Sequence, residues 1–536
     1  MPPDLTCTSV IARTLYDAGV RYAFGHPGGE VVELIDALNS QGIEFILTGH
    51  EATAAFMAGT VGRLTGVPGV CIATLGPGAC NLVLGVGSAY LDRDPLLAIT
   101  ARTATHRIHR SNKQNLSLNT LFEPITKWSV ALDGGALAET IETALMVAST
   151  PPRGSVYLSI PADVATASPF DAVPISSPDF PVKDETALKT IIQHVNTARH
   201  PIGVIGPAMD ATKDTRLVRH FFEATGIPYV VTVQGKGIAD ENGARFLGSI
   251  GPAAGEKHII EWLEQSDCLL GFGFDPVEIS QLWHFDAPLY VIANGPVGFG
   301  DFQPTLECVG DVSVLIDQVR AAYQGSTVWT DDEIKRLRQQ VVETYRPKRS
   351  ASPQGVSPYH LVAELRDVLP EDTILSSDVG AHKNVIGQRW WVPEPGAFLM
   401  SNGLSSMGYG VASVMAAALI HPDRPVVSIT GDGAFAMMVQ ELETVRRMKT
   451  SPLFVVLCDT SLAVIKVAQQ SRGLPPVGVD FMPVDWVKVA EGFGVRGEAV
   501  HTLDAVRAAV QNWLNHREPL VLAVALDETL YTGLRY

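Results

Sequence analysis

Short runs of β-branched and other apolar residues alternate with stretches of helical periodicity along most of the chain, the rhythm of parallel strands linked by crossover helices. Val20–Phe24 leads into the turn Gly25-His26-Pro27-Gly28-Gly29, Gly69–Leu75 leads into Gly76-Pro77-Gly78, and Leu96–Ala101 and Val156–Ile160 follow. A Pro/Ser-rich stretch from Ser168 to Pro181 interrupts the pattern, which resumes at Ile202–Gly206, Tyr229–Val233, Cys268–Gly273 and Leu289–Ala293. A second polar break, Arg346–Ser357, precedes the runs Thr373–Asp378, Val426–Thr430, Leu453–Cys458 and Leu520–Leu526. The pattern predicts an α/β protein of three doubly wound parallel-sheet domains, spanning 1–170, 185–345 and 356–536.

Length agrees, because 536 residues exceed what one hydrophobic core serves. A hydrophobic share of 46% with 18% charged residues belongs to a globular chain rather than a disordered one. The balance of 57 acidic against 40 basic side chains, a formal charge of −17, argues against a nucleic-acid-binding surface. Cys7, Cys71, Cys80, Cys268, Cys308 and Cys458 form no CxxC pair and mostly sit in apolar runs, as reduced core thiols do. With no basic leader and no apolar run of about 18 residues, a cytoplasmic protein free of the membrane is expected.

The stretch richest in chemistry is Gly431-Asp432-Gly433-Ala434, delivered by an apolar strand to the start of an amphipathic helix that runs on through Glu441-Leu-Glu-Thr. Unsatisfied N–H groups and the dipole at such a terminus favour a phosphate. A second buried strand ends at Asp459, with the carbonyl of Ser461 beyond it. Two carboxylates, a carbonyl and diphosphate oxygens would make a hard, oxygen-rich site suited to Mg²⁺. Taken alone, Gly-Asp-Gly is better explained as a strand-to-helix turn with a capping Asp.

Four further segments change that balance: Phe24–Gly29, Gly49-His50-Glu51-Ala-Thr-Ala-Ala, Thr74–Asn81 and Ser401-Asn-Gly-Leu-Ser-Ser-Met407-Gly-Tyr-Gly410. Together and in this order they resemble the thiamine-diphosphate enzymes of the acetolactate synthase, pyruvate oxidase and benzoylformate decarboxylase family, over nearly the whole chain. The resemblance implies an aminopyrimidine-binding first domain, a nucleotide-fold middle domain and a diphosphate-binding third domain. It places Gly28, Gly29, Glu51, Gly76, Pro77, Gly78, Asn81, Gly403, Ser405 and Met407 against the cofactor, with Gly431, Asp432, Gly433, Ala434, Asp459, Ser461, Leu462 and Ala463. Asp432, Asp459 and Ser461 would hold Mg²⁺. Glu51 would supply a proton to the pyrimidine ring, which the cofactor's own amino group needs before it can act as a base. Gln114 and His382 match family residues near the reacting carbonyl, and Met407 matches the apolar wedge that bends the cofactor.

The expected reaction joins a decarboxylated 2-oxo acid to a second carbonyl, the alternatives being simple decarboxylation to an aldehyde and a non-catalytic paralogue serving as a subunit. Sites between chains, in a homodimer or homotetramer, come with the resemblance. Four departures stand out. Cys458-Asp459 replaces the usual pair ending in Asn, and Glu30 and Ala468 differ from biosynthetic acetolactate synthases beside the acceptor. The segment Asp267–Glu278 also lacks the arginine-flanked pattern of FAD-containing members, which argues against FAD. Val464 and Ile465 suit a small aliphatic 2-oxo acid.

Overall fold

A computed structural model describes residues 5–110, 113–251, 255–279, 286–298 and 303–531. In the first sheet β1 (Tyr22–His26), β2 (Glu44–Leu47), β3 (Gly69–Ala73), β4 (Leu96–Arg102), β5 (Ser129–Ala131) and β6 (Ser155–Pro161) lie parallel in the order β2-β1-β3-β4-β6-β5. The second sheet holds β7 (Pro201–Ile205), β8 (Tyr229–Thr232), β9 (Phe246–Ile250), β10 (Cys268–Phe272), β11 (Leu289–Ala293) and β12 (Leu306–Val309), ordered β12-β11-β10-β7-β8-β9. A short antiparallel hairpin, β13 (Ala351–Ser352) and β14 (Gly355–Val356), precedes the third sheet. That sheet comprises β15 (Ile374–Ser377), β16 (Phe398–Met400), β17 (Val426–Gly431), β18 (Leu453–Cys458), β19 (Arg496–Val500) and β20 (Leu520–Ala525), ordered β16-β15-β17-β18-β20-β19.

All three sheets are parallel and most of their strands are buried on both faces, which is why they read as continuous apolar runs. The first and third sheets share one topology, and the second has the order of dinucleotide-binding folds. Open parallel sheets bind ligands outside the carboxyl ends of their strands, where the strand order reverses. In the first sheet that point lies between β1 and β3, so Gly28-Gly29 and Gly76-Pro77-Gly78 emerge side by side. In the third it lies between β15 and β17, which releases Asp378–His382 beside Asp432.

Compactness divides the chain differently from the sheets. One unit contains the residues up to Phe180 together with Gly403–Pro422 and Met438–Thr450; the other contains Pro181–Asn402, Asp423–Met437 and the chain from Ser451 onward. Within the first unit the helix Glu51–Thr65 is buried along its first twelve residues, so its periodicity is weak in the sequence. Its small residues explain the burial: a Cβ on Gly85 of the neighbouring helix Pro77–Leu91 would meet Ala55 Cβ at 2.5 Å and Ala52 O at 2.8 Å. Helix Tyr409–Ile420 packs on the same helix, with the Phe56 and Tyr409 rings edge to face at 5.8 Å.

The single helix expected after Gly-Asp-Gly is two helices, Asp432–Met438 and Glu441–Met448, separated by a tight turn. The described cysteines are free, with Cys7, Cys71, Cys268 and Cys308 buried and Cys80 exposed. Among the described residues no helix is long and apolar enough to cross a membrane.

Candidate active site

In the first unit β2 ends at Leu47 and the chain turns through Thr48-Gly49-His50 into the helix that Glu51 opens. The His50 ring accepts from Ala52 N at 3.1 Å and caps that helix. Glu51 is 8% exposed, so it is not the solvated first-turn carboxylate that its position alone suggests. Asn81 Nδ2 donates to Glu51 Oε2 at 2.9 Å, fixing the carboxylate from the next helix. Gly78 keeps that approach open, since a Cβ there would lie 3.1 Å from Glu51 Oε1.

Gly76 caps the helix that begins at Pro77 with φ +65°, a conformation that favours glycine, and a Cβ there would lie 2.9 Å from Gln114 Cβ. Gln114 is exposed, with φ +57°. Gly28 is walled by Thr74, whose Cβ would be 2.4 Å from an added methyl, whereas Gly29 faces open space. Thr74 Oγ1 donates to Glu30 Oε2 at 2.6 Å. Gly403 N donates to Asp92 Oδ1 at 2.7 Å and leaves no room for a side chain against Leu91. Ser405 is exposed, with φ +55°, and Met407 is half-buried.

In the second unit Asp432 is 2% exposed. Its Oδ1 accepts from Gly433 N at 2.9 Å and its Oδ2 from Thr460 N at 3.0 Å, tying the ends of β17 and β18 together. Asp459 Oδ1 accepts from Ser461 N at 3.2 Å, and Leu462 N donates to Val479 O before the helix Ala463–Ser471 begins. Burial pushes the Asp432 carboxyl up to about 6, and burial together with the Asp432 charge pushes Asp459 up to about 7. Among the described residues neither has a Lys or Arg ion-pair partner. Lys466, four residues beyond Leu462, is held by Asp480 and Glu528 instead.

His382 is 3% exposed, its Nε2 has no partner among the described residues, and burial lowers its pKa to about 4. A Cβ on Gly431 would meet only His382 Cε1, at 3.9 Å, so space lies open above the end of β17. These features fit a diphosphate and a dication. Two mutually repelling carboxylates have no Lys or Arg ion-pair partner among the described residues, and a glycine leaves the strand end uncovered. Among the described residues no cluster of three or more His, Cys, Asp or Glu stands ready for a metal, so a backbone carbonyl and ligand oxygens would have to complete the coordination.

The carboxyl-terminal third matches the model described as "Thiamine pyrophosphate enzyme, C-terminal TPP binding domain" over residues 378–524. The corresponding N-terminal TPP binding domain matches residues 5–121 and the central domain residues 188–319. A catabolic acetolactate synthase of Raoultella terrigena is 30% identical, over 97% of this chain and 94% of its own. The chain belongs to the acetolactate synthase family of thiamine pyrophosphate enzymes. An acetolactate synthase of Bacillus subtilis (strain 168) is 29% identical over 97% and 92% of the two chains. The isozyme 2 large subunit of Escherichia coli (strain K12) is 30% identical over 97% and 95%.

Membership in this family bears out the resemblance read from the motifs, and the three parallel sheets agree with the three matched domains. The chain is a thiamine-diphosphate-dependent enzyme. The motif reading passed over Glu441 and Asp378. Asp378 is fully buried and takes a hydrogen bond from Thr430 Oγ1 at 3.1 Å. Its position at the end of the predicted strand Thr373–Asp378 is the signal that could have found it.

Proposed function

We propose that this enzyme decarboxylates a 2-oxo acid and joins the two-carbon or longer acyl unit to a second carbonyl, as acetolactate synthases do. The observation that carries this reading is a buried glutamate, Glu51, held by Asn81, in a chain whose third-sheet switch point presents Asp432 and Asp459 with no Lys or Arg ion-pair partner among the described residues. Thiamine diphosphate supplies the acidic carbon and the electron sink for the decarboxylation. Everything else falls to side-chain and backbone groups of this protein.

Asp432, Asp459 and the Ser461 carbonyl hold Mg²⁺, and the backbone of Gly431–Ala434 with Leu462 and Ala463 receives the diphosphate. Glu51 holds the proton shared with the pyrimidine nitrogen, and Asn81 keeps its second oxygen turned to that task. Gly28, Gly29, Gly76, Pro77 and Gly78 would hold the pyrimidine ring, with Gly403, Ser405 and Met407 supporting the cofactor. Gln114 and His382 attend the reacting carbonyl. His382 does so as a neutral imidazole, because burial keeps it unprotonated well below pH 7. Val464 and Ile465 give the pocket an apolar wall that excludes water, while Glu30 and Ala468 set the acceptor's surroundings.

We further propose a homodimer or homotetramer with each site completed by two chains, in a reducing cytoplasm suited to its free thiols, and without FAD. A flavin absorbance band in the purified protein would contradict the last point. The function is tested by product analysis with pyruvate and longer 2-oxo acids in the presence of thiamine diphosphate and Mg²⁺. Acetolactate-type or acyloin products are expected; free aldehyde as the sole product would replace carboligation with simple decarboxylation.

A further inference from the structure

Glu441 is fully buried, yet it carries a carboxylate and has no Lys or Arg beside it in an ion pair among the described residues. Its Oε2 accepts from Gly49 N at 3.0 Å and from Thr444 Oγ1 at 2.8 Å, while Oε1 finds no donor among the described residues. Gly49 is the residue from which the chain enters the His50 cap and then Glu51. A Cβ at Gly49 would lie 2.7 Å from Gln440 Cγ and 3.1 Å from Glu441 Oε1, so the turn is seated directly on this pair. One helical turn and a half further on, Arg447 Nη2 donates to Leu47 O at 2.9 Å. Helix Glu441–Met448 therefore grips the turn before Glu51 at two backbone groups, one N–H and one C=O. On its far side Thr48 Oγ1 donates to His50 O at 2.9 Å and the His26 ring bonds Thr48 O at 2.9 Å.

A carboxylate buried at the cost of its solvation, whose one bond outside its own helix is to a loop amide, is placed for geometry rather than stability. We infer that Glu441 is a positioning residue: through the Gly49 amide it sets the height and direction of the helix end that presents Glu51 to the cofactor's pyrimidine ring. This rests on the proton-sharing role proposed for Glu51. Glu441 touches neither substrate nor cofactor in this account; it acts only through the turn.

The test compares Glu441→Ala, Glu441→Gln and Gly49→Ala with the wild-type holoenzyme, and Glu51→Gln beside them. Three readouts are taken: deuterium exchange of the amides of 47–52, thiamine diphosphate affinity by tryptophan fluorescence in Mg²⁺, and kcat and KM with pyruvate. Losing a charge-assisted hydrogen bond of this kind is expected to speed exchange at 47–52 about ten- to hundredfold and to lower kcat by a similar factor. KM and cofactor affinity stay within about threefold, and Glu441→Gln, which keeps an acceptor oxygen, recovers most of the loss. Gly49→Ala, whose methyl presses on Gln440 and on the Glu441 carboxylate, disturbs the same contact from the turn's side and is expected to reproduce the exchange change, so it serves if Glu441→Ala does not fold. Wild-type exchange and kcat in Glu441→Ala, or a kcat loss matched by equal weakening of KM and cofactor binding, would overturn the inference. A fully active Glu51→Gln would instead remove the proton-sharing role itself, whereas an inactive Glu51→Gln beside a wild-type-like Glu441→Ala would remove only the role of Glu441.

Discussion

By the motif resemblance Asp459 takes the place of an asparagine, and replacing it by asparagine isolates the consequence of that extra charge. Burial and the neighbouring Asp432 raise its carboxyl from 3.8 to about 7. Because the folded-state value lies above the unfolded one, the carboxyl is harmless below about pH 4, where both states are protonated, and it destabilises the fold increasingly as pH rises through about 7. At about 1.4 kcal/mol per pH unit, allowing for the water that reaches this half-buried group, the loss by pH 8 is roughly 2–4 kcal/mol. In EDTA the Asp459→Asn protein is therefore expected to melt above the wild type at pH 8, with the gap narrowing toward pH 5. With Mg²⁺ and thiamine diphosphate the order of benefit is expected to reverse: under the proposed coordination binding draws on both carboxylates, so the wild type should gain more. Differential scanning fluorimetry from pH 5 to 8, with EDTA and then with metal and cofactor, reads both effects. Parallel pH profiles for the two proteins, or equal gains on adding Mg²⁺, would refute the reasoning.

His382 gives the opposite slope: with its pKa held down near 4 by burial, folding loses roughly 3 kcal/mol as pH falls from about 6.5 to about 4. Urea midpoints at pH 7 and pH 4.5 should show that loss in the wild type and a smaller one in His382→Gln. Gly28→Ala drives a methyl to 2.4 Å from Thr74 Cβ and is expected to cost about 1–3 kcal/mol in thermal stability. Gly29→Ala meets nothing within 4 Å, so it should leave stability within about 0.5 kcal/mol while weakening thiamine diphosphate binding in a fluorescence titration.

Much of this architecture is legible along the chain because parallel strands buried on both faces are uninterrupted apolar runs, and the turns that leave them carry Gly, Pro and Asp. Gly28, Gly76, Asp432 and Asp459 all sit at such strand ends, so the motifs and the switch points coincide. The break after Met438 was not legible, since Ala434–Leu442 keeps helical composition across the turn. Glu441 escaped for a different reason. Its partner Gly49 is 392 residues away in sequence, and a carboxylate within a helical run reads locally as a solvated face. The association of Gly403–Pro422 and Met438–Thr450 with the amino-terminal unit is likewise a matter of packing between distant segments, which periodicity does not encode.

The proposed chemistry requires Glu51 to exchange a proton with the bound cofactor, and hydrogen–deuterium exchange at the acidic thiazolium carbon measures this without any substrate. With thiamine diphosphate and Mg²⁺ bound, the wild-type protein is expected to exchange that proton rapidly, and Glu51→Gln about 10²–10⁴ times more slowly while still retaining the cofactor. Exchange in Glu51→Gln as fast as in the wild type would contradict the account.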